Sequence, residues 1–435
     1  MGEKKFQKGV HSLLLNPSLP RAITSFTIDR MNPPSSKAKD LAILIGCVLI
    51  MATTMGIIMN VASIFYPVVS ADLGVSRPAF ALTGTITSLS SMLAALFWGF
   101  LYTKNAIQKP MIIGMLVAGL CYFGLQAAHS LLHFYLLSGL VGFIYGGISI
   151  IPVSTIITRH FTRNTGSALS IALAGSGLGP MVLNPIINNL INTQSWRTGY
   201  LLLGIVLLTI ALPSALLVTH LVKDEIQGAP MRAGKNQPAG EPLPRQPIWF
   251  LAFLAAAFLA GFTGAGTLSN LPIYLRDLNF SVAKVSIVTS AYAASMVAGK
   301  FILGFLYDRI GAKKATLFAG ILMTLTCVLL VFINSLPFLV LMLLTFGIGI
   351  AMGTVSLTWM TNYFFSRQLY SKRFGAVQFT NSLGIAVGIP LIATLLERVP
   401  KFNWIWLIVA SLSLLMLILL MVSIHGNLRS REEAA

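Results

Sequence analysis

The sequence predicts an all-α membrane protein, with twelve transmembrane helices in two six-helix halves. Three observations carry that expectation. The 435 residues are 56% hydrophobic and only 10% charged, whereas soluble proteins average about 25% charged. The apolar residues gather into twelve segments, roughly 41–68, 78–102, 110–128, 132–156, 167–191, 199–221, 248–274, 284–307, 313–334, 337–362, 374–396 and 403–424. Each can cross a hydrocarbon core of ~30 Å. Finally, Gly-Phe-Leu-Tyr begins at both Gly99 and Gly304, after the second and the eighth segment.

Taken in chain order, residues 1–40 read as a basic polar tail on the cytoplasmic side. No compact apolar stretch with a small-residue cleavage site follows the early lysines, so no signal peptide is expected. Met31, ahead of "NPPSSKAKD", would also serve as a start, and no function is assigned to residues 1–30. Six segments then make an N-terminal half, 41–221. Lipid offers an open backbone no hydrogen-bond partners, so each segment must be a helix. Residues 222–247, "VKDEIQGAPMRAGKNQPAGEPLPRQP", hold five prolines and seven charges with no apolar period. They read as a solvated cytoplasmic linker. Six more segments make the C-terminal half, 248–424, and 425–435 form a second cytoplasmic tail.

The net charge of +18 would suggest nucleic acid in a soluble domain. In a helical membrane protein it has another cause, the basic loops that fix orientation. Twenty-three of the thirty Lys and Arg fall in the tails, the linker and the loops on one side, and six in the opposite loops. This bias places both termini and the linker in the cytoplasm of a multi-pass cell (inner) membrane protein. No nucleic-acid partner is expected. Cys47, Cys121 and Cys327 all lie in apolar runs and suit neither a metal nor a disulfide framework. No catalytic residue, metal site or cofactor is expected. No Cys/His/Asp cluster has catalytic spacing, and no Gly-x4-Gly-Lys-Ser/Thr loop encodes ATP drive.

One basic residue remains, Lys300, inside the eighth segment. Asp308 marks that segment's cytoplasmic end, and eight residues of helix put Lys300 about 12 Å deeper, close to the midplane of a ~30 Å core. A lysine there costs about 2.5–3.5 kcal/mol to insert. It must face a cavity or a partner, unless its stem snorkels toward the surface. All twelve acidic residues lie outside the spans or at their ends. Lys300 therefore has no carboxylate at depth, and an anionic ligand is its natural partner. Other polar residues at depth are candidate donors to the same ligand: Asn60 on the first helix, Tyr145 on the fourth, Asn270 on the seventh, Tyr292 and Ser295 on the eighth, Gln378 and Asn381 on the eleventh. For each of these, helix packing is an equal alternative.

The loop "Gly304-x-x-x-Asp308-Arg309-x-Gly311-x-Lys313-Lys314" resembles the signature of the major facilitator superfamily. The resemblance implies that superfamily's fold and parallel six-plus-six repeat. It also implies that this loop latches one conformation, with Asp308 capping the next helix or pairing with a basic residue. Gly99 opens the first copy of the motif, which departs from the pattern at Thr103 and Ala106. The glycine-rich fifth segment followed by Ser-Trp-Arg, within 166–204, is similar to the monocarboxylate and oxalate–formate branch, as are the first two helices. That branch carries arginine where Lys300 stands, a lysine on the eleventh helix where Ser382 stands, and in some carriers a lysine where Asn60 stands. The resemblance thus implies a basic residue that pairs with a substrate carboxylate, and one intramembrane cation favours a monocarboxylate over a dicarboxylate. Lysine is a compact charge that can lose its proton when desolvated. Coupling would then be proton symport through Lys300, or anion exchange.

The expected function is secondary transport of a small organic anion, of the lactate, pyruvate or formate type, by alternating access. The partners are the carboxylate, membrane lipid and a coupling proton, with no obligate protein partner. Two other readings stay open. Gly166, Gly175, Gly179 and Pro180 fit the fifth-helix motif of drug–proton antiporters, although close helix packing explains them equally. A transport-dead membrane sensor is the other.

Overall fold

The computed structural model describes residues 37–102, 107–161, 164–223, 248–398 and 403–432. The basic tail through residue 36, the linker from 224 and the first-copy positions Thr103 and Ala106 lie outside the described residues. Within them the chain is helical, and helices α1 to α12 follow the twelve expected segments. The N-terminal half comprises α1 (Lys37–Asp72), α2 (Arg77–Leu101), α3 (Gln108–Gln126), α4 (Leu131–His160), α5 (Thr165–Thr193) and α6 (Trp196–Leu221). The C-terminal half comprises α7 (Ile248–Asp277), α8 (282–310), α9 (312–330), α10 (336–364), α11 (Arg367–Arg398) and α12 (Asn403–Glu432). By length and hydropathy alone eleven spans stand out, because 287–330 runs through unbroken. That run is two helices. Gly311, at φ 76° and ψ 175°, turns the chain between α8 and α9.

Several boundaries differ from the sequence expectation. α11 begins at Arg367 rather than 374, since its first two turns are amphipathic: Tyr370 and Phe374 are buried and stacked on each other, while Lys372 is half-exposed. α12 continues to Glu432, so most of the expected tail 425–435 is helix.

Helix starts follow a simple chemistry. At the end of the molecule opposite Asp308, Ser76, Ser130, Ser195 and Ser281 stand at the N-caps of α2, α4, α6 and α8. Each hydroxyl accepts a bond from a free backbone N–H of the first turn. α1 is interrupted by a π-helical turn over Gly56–Val61 and a 3-10 turn over Ala62–Phe65. α4 breaks at Ser149, whose φ and ψ are −108° and −117°. π-helical turns occur frequently at functional sites, and broken helices at membrane depth are tolerated where protein or a water-filled cavity covers them.

The halves meet chiefly where α5 crosses α8 and α2 crosses α11. Both crossings are close at the Asp308 end. A Cβ on Gly304 would strike the Gly166 carbonyl and the Ser170 hydroxyl; one on Gly99 would lie 2.7 Å from the Ser371 carbonyl and 2.9 Å from Gly375 Cα. The 205-residue offset between Gly99 and Gly304 also relates Gly166 to Ser371 and Ser170 to Gly375. The two crossings are therefore copies of one contact. The same offset relates Gly56, packed on Gly179 and Pro180, to Gly261, packed on Asn381. The internal repeat thus runs through α1/α7, α2/α8 and α5/α11.

Candidate functional site

α8 runs toward the Asp308 end and α5 away from it, so the two form a ladder whose rungs can be followed. The outermost is Asp308. Its Oδ1 accepts from the Gly166 N–H at 2.8 Å, and its Oδ2 from the Ser167 N–H and hydroxyl, each at 2.7 Å. This carboxylate caps the N-terminus of α5, a helix of the other half, where the dipole and free N–H groups favour negative charge. The sequence reading offered the next helix or a basic residue as its partner. The partner is instead a helix start 141 residues away. Arg309 lies over the Phe305 ring at 4.9 Å, on its own helix. Lys313 and Lys314 are exposed.

The middle rung is Gly304 against Gly166 and Ser170. The innermost is Lys300. Its ammonium is buried, with 6% exposure, and does not reach toward the surface. It donates to the Ser176 hydroxyl at 2.9 Å and to the Leu173 carbonyl at 3.3 Å. Asn60, inside the π-helical turn of α1, donates to the Ser176 carbonyl at 3.0 Å. Three helices from both halves therefore converge on Ser176. An ammonium has three donors, and both partners found for Lys300 are neutral oxygens.

The other expected site residues separate from this junction. Asn270 donates to the Gly266 and Ile389 carbonyls, and Asn381 to the Ala257 carbonyl, so both join α7 to α11. Tyr292 packs edge-on against Phe346, and Ser295 donates to the Tyr292 carbonyl. Tyr145 is buried next to the break in α4. The Gln378 Oε1 is buried without a hydrogen-bond partner. The repeat offset assigns Leu173 to Gln378, Ser176 to Asn381 and Lys300 to Ala95. Trp359 is stacked between Tyr307 and Tyr363. The antiporter-like glycines of α5 have packing jobs: Gly175 and Gly179 sit on the Val48 and Ala52 carbonyls of α1.

A cavity of about 690 Å³ opens between the halves, lined by α1, α2, α3, α4 and α6, with Ser269, Ile385, Ala386, Ile389 and Pro390 from α7 and α11. Its α2 wall, 81–89, lies at least ten residues, about 15 Å of helix, from the Gly99 crossing, toward the end opposite Asp308. The molecule is thus shut at the Asp308 end and hollow toward the other. Ile57, Ile58 and Met59 line the cavity, and the next residue, Asn60, bonds to the junction.

Two features escaped the sequence reading. Ser176 was passed over as one more small residue of a glycine-rich helix, although its repeat mate Asn381 had been singled out. The Ser-Trp-Arg motif was read only as a resemblance. Ser195 caps α6, the Trp196 indole donates to Asp72 at 2.9 Å, and Arg197 pairs with the same oxygen at 3.1 Å while lying 4.1 Å over the Trp196 ring. The motif ties the end of α1 to the start of α6.

Comparisons with known proteins agree with this architecture. The sequence pattern of the Major Facilitator Superfamily matches residues 47–280 and again 253–434. Among curated proteins, the chain is 24% identical over 259 residues to rat monocarboxylate transporter 12, covering 58% of this chain and 51% of that protein. The chain therefore aligns with about half the length of that relative. It is 26% identical to bovine monocarboxylate transporter 13 over 67% of both chains. Zebrafish monocarboxylate transporter 12-B is 22% identical over 80% of this chain and 79% of that one. Among solved structures, the human organic anion transporter MFSD10 (TETRAN) aligns with a TM-score of 0.62 at 17% identity, covering 89% of this chain and all of that one. The proton:xylose symporter XylE aligns with a TM-score of 0.62 at 12% identity, covering 88% and 95%. Those two likenesses concern the fold alone. Paired α2–α11 and α8–α5 crossings and a superfamily pattern found twice along the sequence lead to one conclusion: this chain belongs to the Major Facilitator Superfamily of membrane transporters.

Proposed function

We propose that the protein is a secondary transporter of small organic anions, taking a monocarboxylate at Lys300. One observation carries the reading: a buried ammonium whose partners are two neutral oxygens of the opposite half. Two of its three donors are used, which leaves one for a ligand. A cation at this depth is costly without a counter-charge, and a carboxylate supplies that charge. The relatives named as monocarboxylate transporters support the same reading.

The geometry also suggests how binding would drive movement. Lys300 belongs to α8, and its partners belong to α5. A carboxylate that takes over the ammonium weakens a link between the halves at the moment of binding. The halves 41–221 and 248–424, joined by the linker 222–247, then rock about the site in alternating access. Asp308, Gly304 and Gly99 hold the shut state, with Arg309, Gly311, Lys313 and Lys314 forming the corner behind it. Asn60 and Ser176 orient the ammonium. Coupling is proton symport or anion exchange. Both termini face the cytoplasm, following the basic bias of the loops.

The test is uptake of labelled carboxylates into proteoliposomes holding the full chain, with and without a pH gradient. Lys300→Gln is expected to abolish uptake while leaving expression and insertion intact. Uptake that survives this change removes Lys300 from the mechanism.

A further inference from the structure

The 690 Å³ cavity is far larger than a one- to three-carbon acid requires. At ~30 Å³ per water it has room for roughly twenty waters, and it falls in the ~300–1,000 Å³ range of pockets that hold drug-sized ligands. Among the described residues, no Asp, Glu, Lys, Arg or His lines it. Its inner wall is aromatic. Phe65 stacks on Tyr200 at 4.1 Å, Tyr122 lies 6.1 Å from Tyr200, and Phe134 lies 6.0 Å from it. Tyr122 and Tyr200 are 4% and 7% exposed, and both line the cavity. Two phenols in a wall that faces a void can donate to an acceptor that enters it.

We propose that the transported monocarboxylate carries a bulky apolar body, one or two rings in size, and that Tyr122 and Tyr200 select for it. The inference rests on the carboxylate reading above. A small hydrated anion gains little from uncharged aromatic walls, because its desolvation is not repaid there. An arylalkyl acid gains from burial of its body in proportion to apolar area, and its carboxylate oxygens can accept from the two phenols. The route inward is short. α1 presents Ile57, Ile58 and Met59 to the cavity and Asn60 to the Lys300 junction, so the body's seat ends one helix away from the ammonium. Tyr122 and Tyr200 act as specificity-determining residues at the point of entry, and Lys300 completes the neutralisation deeper in.

The experiment compares uptake efficiency for phenylpyruvate and indole-3-acetate with that for lactate and formate, using the full chain in proteoliposomes. The aryl acids are expected to exceed lactate by at least about tenfold. Tyr200→Phe, which keeps the ring and removes one donor, lowers that ratio about fivefold. Ser138→Phe, which fills part of the cavity, lowers it more. A ratio near or below one with uptake still dependent on Lys300 overturns this inference and leaves the carboxylate reading standing. So does a high ratio that both variants leave unchanged. Uptake indifferent to Lys300→Gln, or no uptake of any acid, overturns the parent reading instead. If Ser138→Phe fails to insert, the wild-type ratio and Tyr200→Phe still decide the matter.

Discussion

The two helix crossings at the Asp308 end share one backbone plan and differ in chemistry. At α5–α8, position 300 is a lysine bonded to Leu173 and Ser176, and position 308 is an aspartate capping the opposite helix. At α2–α11, the matching residues are Ala95 and Thr103, and the positions facing Ala95 in the plan are Gln378 and Asn381. The glycine contacts are retained in both copies. The polar load has been placed on one. Gln378, the repeat mate of Leu173, holds a side-chain oxygen that is buried without a partner. Duplication supplies two like crossings, and only one of them carries the buried ammonium and the capping carboxylate.

The hardest attempt to break this comparison is to move the cation. Lys300→Ala combined with Ala95→Lys keeps the charge count and shifts the ammonium to the other crossing. Uptake is expected to stay at least about thirtyfold below wild type, the lower range for loss of a buried charge pair; a working double variant would make the crossings interchangeable. Next in size are Gly304→Leu and Gly99→Leu. Each forces side-chain atoms into backbone and costs about 1–3 kcal/mol of the closed state. Distances between spin labels on the two halves at the Asp308 end should lengthen equally in both variants. Asp308→Asn removes the charge from the α5 cap, worth up to about 2 kcal/mol. A cysteine introduced at Thr155, buried beside Ser371 at the same end, should then alkylate about tenfold faster in a background otherwise free of cysteine. The smallest effect is at Gln378→Leu. Removing a buried oxygen that has no partner should leave thermal unfolding in detergent unchanged or raise it, by at most about 1 kcal/mol. A clear loss of stability would mean that this oxygen has a role the crossing plan does not explain.

The twelve helices were legible in the sequence because lipid leaves the backbone one solution and apolar length announces it. The distance from Lys300 to Asp308 along α8 was legible too, since rise per residue converts spacing into length. What spacing cannot give is the neighbour. Lys300 was expected to lack a carboxylate, and its partners are indeed neutral, but nothing local to 298–315 points to Ser176 on another helix. Asp308 was read against the next helix or a basic residue for the same reason. Asn270 and Asn381 are the same residue type as Asn60, yet they tie α7 to α11. The tetrapeptide at Gly99 and Gly304 was the visible part of a repeat whose other members, such as Ser170 and Gly375, share no letters. Tyr122 and Tyr200 were invisible because aromatic residues in membrane helices usually just pack.

Gly311 has a mechanical corollary. At φ 76° it occupies backbone space that a side chain would resist, and it is the whole connection between α8 and α9. An elbow of one residue leaves no slack. In the carrier cycle proposed above, opening of the Asp308 cap would therefore pass any tilt of α8 directly to α9. A fluorophore at the far end of α9 would report the release of a carboxylate cap some thirty ångströms away, about the length of twenty helical residues.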